Sequence, residues 1–215
     1  MIKNEVERLV ILGVLKVANY SEWVAPSFDQ PKPKSNELNF LSYFRNLNKQ
    51  LKLKPYPMPK SNVMLLKLEG FQYFTSVDLN MGYYHIRLSK NASNLCTIIL
   101  PWVKYRYKRL PMGVANSTDT LQNKMNDLFY VFEFICAYID EILILTKGDW
   151  TDHLYKLELT LNKLNETGLK CNIQMSFFGK TKMEYLCFWV TRDGIKPINS
   201  KIEAIRNMKP PTTQK

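Results

Sequence analysis

Apolar and polar positions alternate along this chain with two different periods. Val6, Leu9, Val10 and Val14 fall at helical spacing, which predicts an amphipathic helix over residues 4–13 closed near Gly13. Residues 21–35 carry Pro26, Pro31 and Pro33 among strand-like fragments and read as an extended, partly irregular segment. A short β-like piece, Leu38-Asn39-Phe40-Leu41, follows. Residues 49–60, with four lysines and Pro55, Pro57 and Pro59, read as a basic connector. A short helix over 61–69 would be capped by Ser61 or Asn62. Residues 71–78 and 83–88 read as strands around a turn at Asn80-Met81-Gly82, and Ile98-Ile99-Leu100 with Tyr105-Arg106-Tyr107 as a hairpin. Leu121, Met125, Leu128 and Phe129 stripe a helix over 114–130; Leu154, Leu157, Leu161 and Leu164 stripe another over 152–167, with Gly168 as its C-cap. Residues 184–190 are strand-like, Asp193-Gly194 marks a turn, and residues 200–208 start a helix. Strands and helices mix without a regular βαβ alternation, so the expected fold class is α+β with a largely antiparallel sheet.

One run departs from the apolar pattern in a way that carries chemistry. In Phe134-Ile135-Cys136-Ala137-Tyr138-Ile139-Asp140-Glu141-Ile142-Leu143-Ile144-Leu145, two adjacent acids split two apolar β-prone stretches. The stretches read as a hairpin with the acids at its turn. An acidic surface turn is the plain alternative, since Asp favours turns. Phe74-Thr75-Ser76-Val77-Asp78-Leu79 is a second apolar strand with an Asp near its end. Unpaired carboxylates set among core strands are costly and call for a cation. Asp78 and Asp140, at the ends of strands able to share a sheet, form a pair suited to two divalent metals and phosphoryl transfer.

Charge narrows the partner. The 215 residues hold 30 Lys and Arg against 19 Asp and Glu, a net charge of +11, which points to a polyanion, with acidic lipid second. No apolar run approaches the roughly 18 residues of a membrane span, and Met1-Ile2-Lys3-Asn4-Glu5 lacks a signal-peptide pattern. The four cysteines form no Cys-x-x-Cys pair and fit a reducing compartment. His85 and His153 are isolated, which argues against a zinc site.

An ordered set of motifs then runs through nearly the whole chain. It comprises Gly13-Val14-Leu15, Ser21-Glu22-Trp23-Val24-Ala25-Pro26, Arg45-Asn46-Leu47-Asn48-Lys49, Tyr56-Pro57-Met58-Pro59 and the run from Phe74 through Asp78 to Ile86. It continues with Tyr105 through Leu110-Pro111-Met112-Gly113-Val114, Tyr138-Ile139-Asp140-Glu141, Asp193-Gly194-Ile195-Lys196-Pro197 and Lys201-Ile202-Glu203-Ala204-Ile205. In this order the chain resembles the reverse transcriptase domain of Ty3/gypsy-like long-terminal-repeat retrotransposon polyproteins. The resemblance implies a right-hand polymerase, with fingers-like parts at about 1–75 and 88–112, palm at 76–87 and 113–198, and the start of a thumb or connection at 199–215, most of the thumb being absent. It implies transfer of a deoxynucleotide from its triphosphate to a primer 3′-hydroxyl on an RNA or DNA template, with two Mg²⁺ (or Mn²⁺) ions. Asp78, Asp140 and Glu141 match the metal-binding acids. Lys32, Lys34 and Arg45 match contacts to triphosphate or template, and Tyr83 matches the aromatic gate beneath the incoming sugar. Met112 and Gly113 match the loop lining the nucleotide pocket, and Tyr138 opens the acid box. Phe188, Trp189, Asp193 and Gly194 match the primer-guiding hairpin. The resemblance also implies no membrane, a setting within a longer polyprotein and work in a cytoplasmic particle.

The departures from the family pattern are specific. Glu141 stands where the family has Asp. The fingers arginine is replaced near Asn39 and an aspartate near Ser42, with one extra residue before Arg45. Asn116-Ser117-Thr118, Leu121-Gln122, Gln174-Met175-Ser176-Phe177 and Leu186-Cys187 replace usual family steps and read as relaxed constraint. These departures support an alternative, a catalytically decayed remnant that still binds nucleic acid. A structural domain without a nucleic-acid role is opposed by the charge.

Overall fold

A computed structural model of the chain describes residues 2–31, 38–59, 64–65, 68, 70–186 and 188–208. The chain folds as two compact units, one of Met1–Met58 with Asn80–Leu128, the other of Pro59–Leu79 with Phe129–Lys215.

The first unit is built on a five-stranded sheet. Helix α1 (Ile2–Ile11) buries Val6 and Leu9, places a Glu5–Arg8 ion pair on its outer side, and stops where Gly13 takes a left-handed φ of 68°. Strands β1 (Leu15–Ala18), β2 (Ala25–Pro31), β3 (Leu38–Ser42), β5 (Thr97–Ile99) and β6 (Lys104–Tyr107) assemble in the order β1-β6-β5-β2-β3. The pairs are antiparallel except β2 with β5. The β2–β3 ladder runs unbroken from Ser27 opposite Ser42 to Pro31 opposite Leu38, so an extra residue before Arg45 is taken up outside it. Helices α2 (Arg45–Asn48), α3 (Lys90–Leu95) and α4 (Ser117–Phe129) complete the unit, α4 ending at the boundary. Leu9, Leu15, Phe44, Ile98 and Tyr107 lie at the centre of its core.

The predicted strand over 83–88 is a short 3₁₀ helix, Gly82–His85, and only its tail is extended, where Arg87 bridges Arg109. The cause is Met81, whose left-handed φ of 57° turns the chain so that the Tyr84 N–H bonds the Met81 carbonyl. Of the helix predicted over 61–69, residues 64 and 65 are helical; Ser61 and Asn62 lie outside the described residues.

The second unit holds the acids. Strands β4 (Tyr73–Leu79), β7 (Ile135–Tyr138), β8 (Glu141–Thr146) and β9 (Cys171–Lys180) form an antiparallel sheet in the order β7-β8-β4-β9. Helix α5 (Trp150–Thr167) packs on β4 and β8. It starts two residues before the apolar stripe predicts, because the Asp149 carboxylate accepts the Asp152 N–H at 2.9 Å as an N-cap, and it closes at Gly168 as expected. Alternation along β4 separates two faces. Thr75 meets α5, where His153 is buried between the Thr75 and Thr146 hydroxyls at 2.8 and 2.9 Å. Phe74 joins Leu143, Leu145, Met183, Tyr185 and Val190 in the opposite core. That core is closed by a small sheet of β10 (Lys182–Tyr185), β11 (Phe188–Thr191) and β12 (Gly194–Pro197), with helix α6 (Asn199–Arg206) after it. The α+β, largely antiparallel expectation is met. Strand β9 is absent from the sequence-based expectation although Cys171, Ile173, Met175 and Phe177 alternate with polar residues; it is a bulged edge strand that leaves Ile173, Met175 and Phe177 exposed. Among the described residues no helix is long and apolar enough to cross a membrane.

Candidate active site

Strand pairing, rather than a loop, places the acids. Asp78 on β4 stands directly opposite Glu141 on β8, and Glu141 is also opposite Tyr138 on β7. The chain therefore reverses through only Ile139 and Asp140. A two-residue hairpin favours residues with positive φ. Ile139 supplies a φ of 56°, a conformation that a β-branched side chain adopts only under strain. The Leu79 N–H donates to the Asp140 carbonyl at 2.8 Å and clamps the turn to the end of β4. Asp78 and Asp140 thus come together, as the sequence reading expected of acids at strand ends.

Electrostatics mark the same spot. The Asp78 carboxyl is pushed up to about 6 from its ordinary 3.8, first by burial and then by Asp140 and Glu141. Glu141 is also raised, by burial and by Asp140, against a hydrogen bond from Ser76 that favours its ionised form. Among the described residues, none of the three carboxylates takes part in an ion pair. Hard carboxylate oxygens under mutual repulsion, with no counter-cation, suit a divalent metal ion. The arrangement is looser than a closed site: among the described residues no group of three or more His, Cys, Asp or Glu converges to hold a metal. Asp78 and Asp140 fit such an ion; the Glu141 Oε1 is taken by the Ser76 hydroxyl at 2.6 Å.

A second polar contact supports Asp78 from the other side. Between Ser76 and Asp78 the β4–β9 register jumps from Phe177 to Asn172. Ser176 fills this bulge, its hydroxyl accepting the Asp78 N–H at 3.1 Å and donating to the Asn172 carbonyl at 2.7 Å. Sequence reasoning passed over Ser76 and Ser176. Ser76 was findable, because two residues before Asp78 on a strand is the same face; Ser176 was not, since a bulge obeys no alternation.

The remaining predicted residues fall in both units. In the second, Tyr138 and Phe188 pack against the core beneath the acids. Trp189 carries the Lys182 ammonium 4.1 Å over its ring. Asp193 and Gly194 form the β11–β12 turn, where Gly194 has a φ of 117° and its carbonyl accepts the Thr191 hydroxyl. In the first unit, Arg45 is exposed and donates to the Tyr43 hydroxyl at 3.2 Å. The Tyr83 hydroxyl pairs with Thr118 at 3.2 Å. Met112 is exposed, and Gly113 has a φ of 86° and offers its carbonyl to the Asn48 amide at 2.8 Å. Lys32 and Lys34 lie outside the described residues.

Comparison with known proteins bears on the family and the fold. The family described as reverse transcriptase (RNA-dependent DNA polymerase) matches residues 31–190. The chain is 29% identical over its full length to the retrovirus-related Pol polyprotein from transposon opus of Drosophila melanogaster, and covers 22% of that protein. It is 26% identical, over 98% of its length, to the Pol polyprotein from transposon gypsy of the same organism, covering 21% of it. The chain thus spans about a fifth of the length of these relatives. Among solved structures, the foamy viral protease-reverse transcriptase in complex with double-stranded DNA shares its fold, with a TM-score of 0.89, 24% identity, and coverage of 98% of this chain and 37% of that one. The same viral enzyme with an RNA/DNA hybrid gives a TM-score of 0.86 and 24% identity over 98% of this chain and 28% of that one. The resemblance read from the ordered motifs is borne out, and the chain belongs to the reverse transcriptase (RNA-dependent DNA polymerase) family.

Proposed function

We propose that this chain is the polymerase part of a longer retrotransposon polyprotein and performs RNA-directed DNA synthesis. In this reading it joins a deoxynucleoside monophosphate to a primer 3′-hydroxyl opposite an RNA or DNA template. The observation that carries the reading is the pair of carboxylates, Asp78 and Asp140, held at adjacent strand ends by the Leu79 N–H bond to the Asp140 carbonyl. Reverse transcriptases use divalent metal ions, and two Mg²⁺ (or Mn²⁺) ions, when bound, ease deprotonation of the attacking hydroxyl and balance charge on the departing pyrophosphate. Asp78 and Asp140 would hold them, with Glu141 adding negative charge beside the pair.

The other residues bind and orient. Tyr83, braced by Thr118, gates the sugar of the incoming nucleotide, and Met112 and Gly113 line its surroundings; Tyr138 contacts nucleotide or template. Lys32, Lys34 and Arg45 contact triphosphate or template, supported by the net charge of +11. Phe188, Trp189 and the Asp193-Gly194 turn guide the primer end. We assign residues 1–75 and 88–112 to fingers, 76–87 and 113–198 to palm and 199–215 to the start of a thumb, in a cytoplasmic particle.

The test is primer extension on an RNA template with Mg²⁺ and then Mn²⁺, beside Asp140→Asn. Extension that disappears in the variant supports the proposal; absence of extension by the wild type refutes it. One observation favours a second reading, a remnant that binds nucleic acid without turnover: the third acid does not converge with the other two. That reading requires salt-dependent duplex binding indifferent to Asp78→Asn and Asp140→Asn, with no extension.

A further inference from the structure

The second acid of the turn is a glutamate, and the structure gives it a partner. Ser76 and Asp78 project to one face of β4. Glu141 stands opposite Asp78, and Ser76 stands opposite Leu143, so Glu141 and Ser76 are diagonal neighbours in the ladder. Diagonal positions lie about 7–8 Å apart, within reach of long side chains. Glutamate spans this gap, and aspartate is one methylene shorter. The Ser76 hydroxyl donates to Glu141 Oε1 at 2.6 Å, the length of a charge-assisted bond, and Ser76 is only 3% exposed, so water competes poorly for the contact. Asp78 and Asp140 have no comparable side-chain restraint among the described residues; each is held through its main chain.

We infer that Ser76 is a positioning residue that turns the Glu141 carboxylate away from the cation site, so that Asp78 and Asp140 alone ligate the divalent metal. The inference rests on the reading of these acids as the metal centre of nucleotidyl transfer. Serine and glutamate then form a matched pair, the longer acid being accommodated by a hydroxyl that draws it along the sheet.

The experiment is Mn²⁺ binding to the full 215-residue chain, followed by electron paramagnetic resonance without nucleotide or nucleic acid. Glu141→Gln keeps an acceptor for Ser76 and should weaken Mn²⁺ by less than about threefold, the residue of a screened charge. Asp78→Asn and Asp140→Asn should each weaken it by at least about tenfold. Ser76→Ala should tighten Mn²⁺ binding by about threefold or more by releasing the carboxylate. It should have no effect in the Glu141→Gln background, and Ser76→Thr should restore the wild-type value. A Glu141→Gln loss equal to that of Asp140→Asn overturns the inference while leaving the metal centre intact. So does a Ser76→Ala effect that is absent, or equal in both backgrounds. A wild type whose Mn²⁺ binding ignores Asp78→Asn and Asp140→Asn overturns the metal-centre reading itself, and the inference with it. Circular dichroism of each variant confirms that the fold is retained, and the Glu141→Gln arm stands without Ser76→Ala.

Discussion

Replacing Asp78 by asparagine should stabilise the metal-free protein while removing its proposed activity. The Asp78 carboxyl titrates at about 6 in the fold and at its ordinary 3.8 in the open chain. The folded state therefore resists ionisation of this group. Below 3.8 both states are protonated and no penalty exists; the penalty grows between 3.8 and 6 and is complete above 6. A displacement of that size corresponds to about 3 kcal/mol. Asp78 is half-buried, and solvent screening leaves about 1 kcal/mol of it. In EDTA at pH 7.5, Asp78→Asn should raise Tm by about 2–4 °C, as expected of 1 kcal/mol in a chain of this size. At pH 3.5 the two proteins should melt together. Mn²⁺ should raise the Tm of the wild type and move the variant much less, because a ligand stabilises in proportion to how tightly it binds the folded state. Asp78→Asn melting at or below the wild type at pH 7.5 in EDTA, or a gap that does not change with pH, would refute the reasoning.

Other substitutions test the surrounding structure. His153 is held below its ordinary 6.5 chiefly by burial, so the open chain takes up the proton first; stability is complete above 6.5 and declines below it. Chemical denaturation at pH 7.5 and pH 5 should show this loss, and His153→Phe should remove it, both read in an Asp78→Asn background to eliminate the opposite trend of Asp78. Gly179 has a φ of 57°, and a Cβ there would lie 2.5 and 2.6 Å from ring atoms of Trp150. Gly179→Ala should cost about 2–3 kcal/mol in urea titration, from left-handed strain plus displacement of Trp150 from its edge contact with Tyr73 and its stacking on His153. Gly168→Ala, also left-handed but with nothing within 4 Å, should cost only about 1 kcal/mol. Ile142 is fully buried beside Glu141, and Ile142→Ala should cost about 2–5 kcal/mol in the same assay.

Much of the site was legible because it follows periodicity. The apolar runs around Asp140 and before Asp78 are strands, and acids at the ends of two core strands have few places to go other than together. The helix over Trp150–Thr167 showed itself by its leucine stripe and Gly168. What escaped the sequence depends on contacts between distant residues. Met81 in a left-handed conformation turned an expected strand into a 3₁₀ helix, and no local composition announces that. The step Gln174-Met175-Ser176-Phe177 read as relaxed constraint, yet Ser176 carries the hydrogen bonds that fill the β9 bulge behind Asp78. Glu141 stands out in the sequence only as a departure from the family's Asp, and its meaning appears with Ser76 diagonal to it.

The main-chain bond between Leu79 and Asp140 has an evolutionary consequence. A separation between two acids that is set by backbone pairing is indifferent to most side chains around it. Sequence can then drift far, to the 26–29% identity that separates this chain from its relatives, without disturbing the pairing that sets the two carboxylates here. The same arrangement is intolerant of a different kind of change. Inserting or deleting one residue within Tyr73–Leu79 would shift the register by one and carry Asp78 to the opposite face of the sheet. A lineage of such elements should therefore accumulate substitutions freely around these strands and almost no changes in their length.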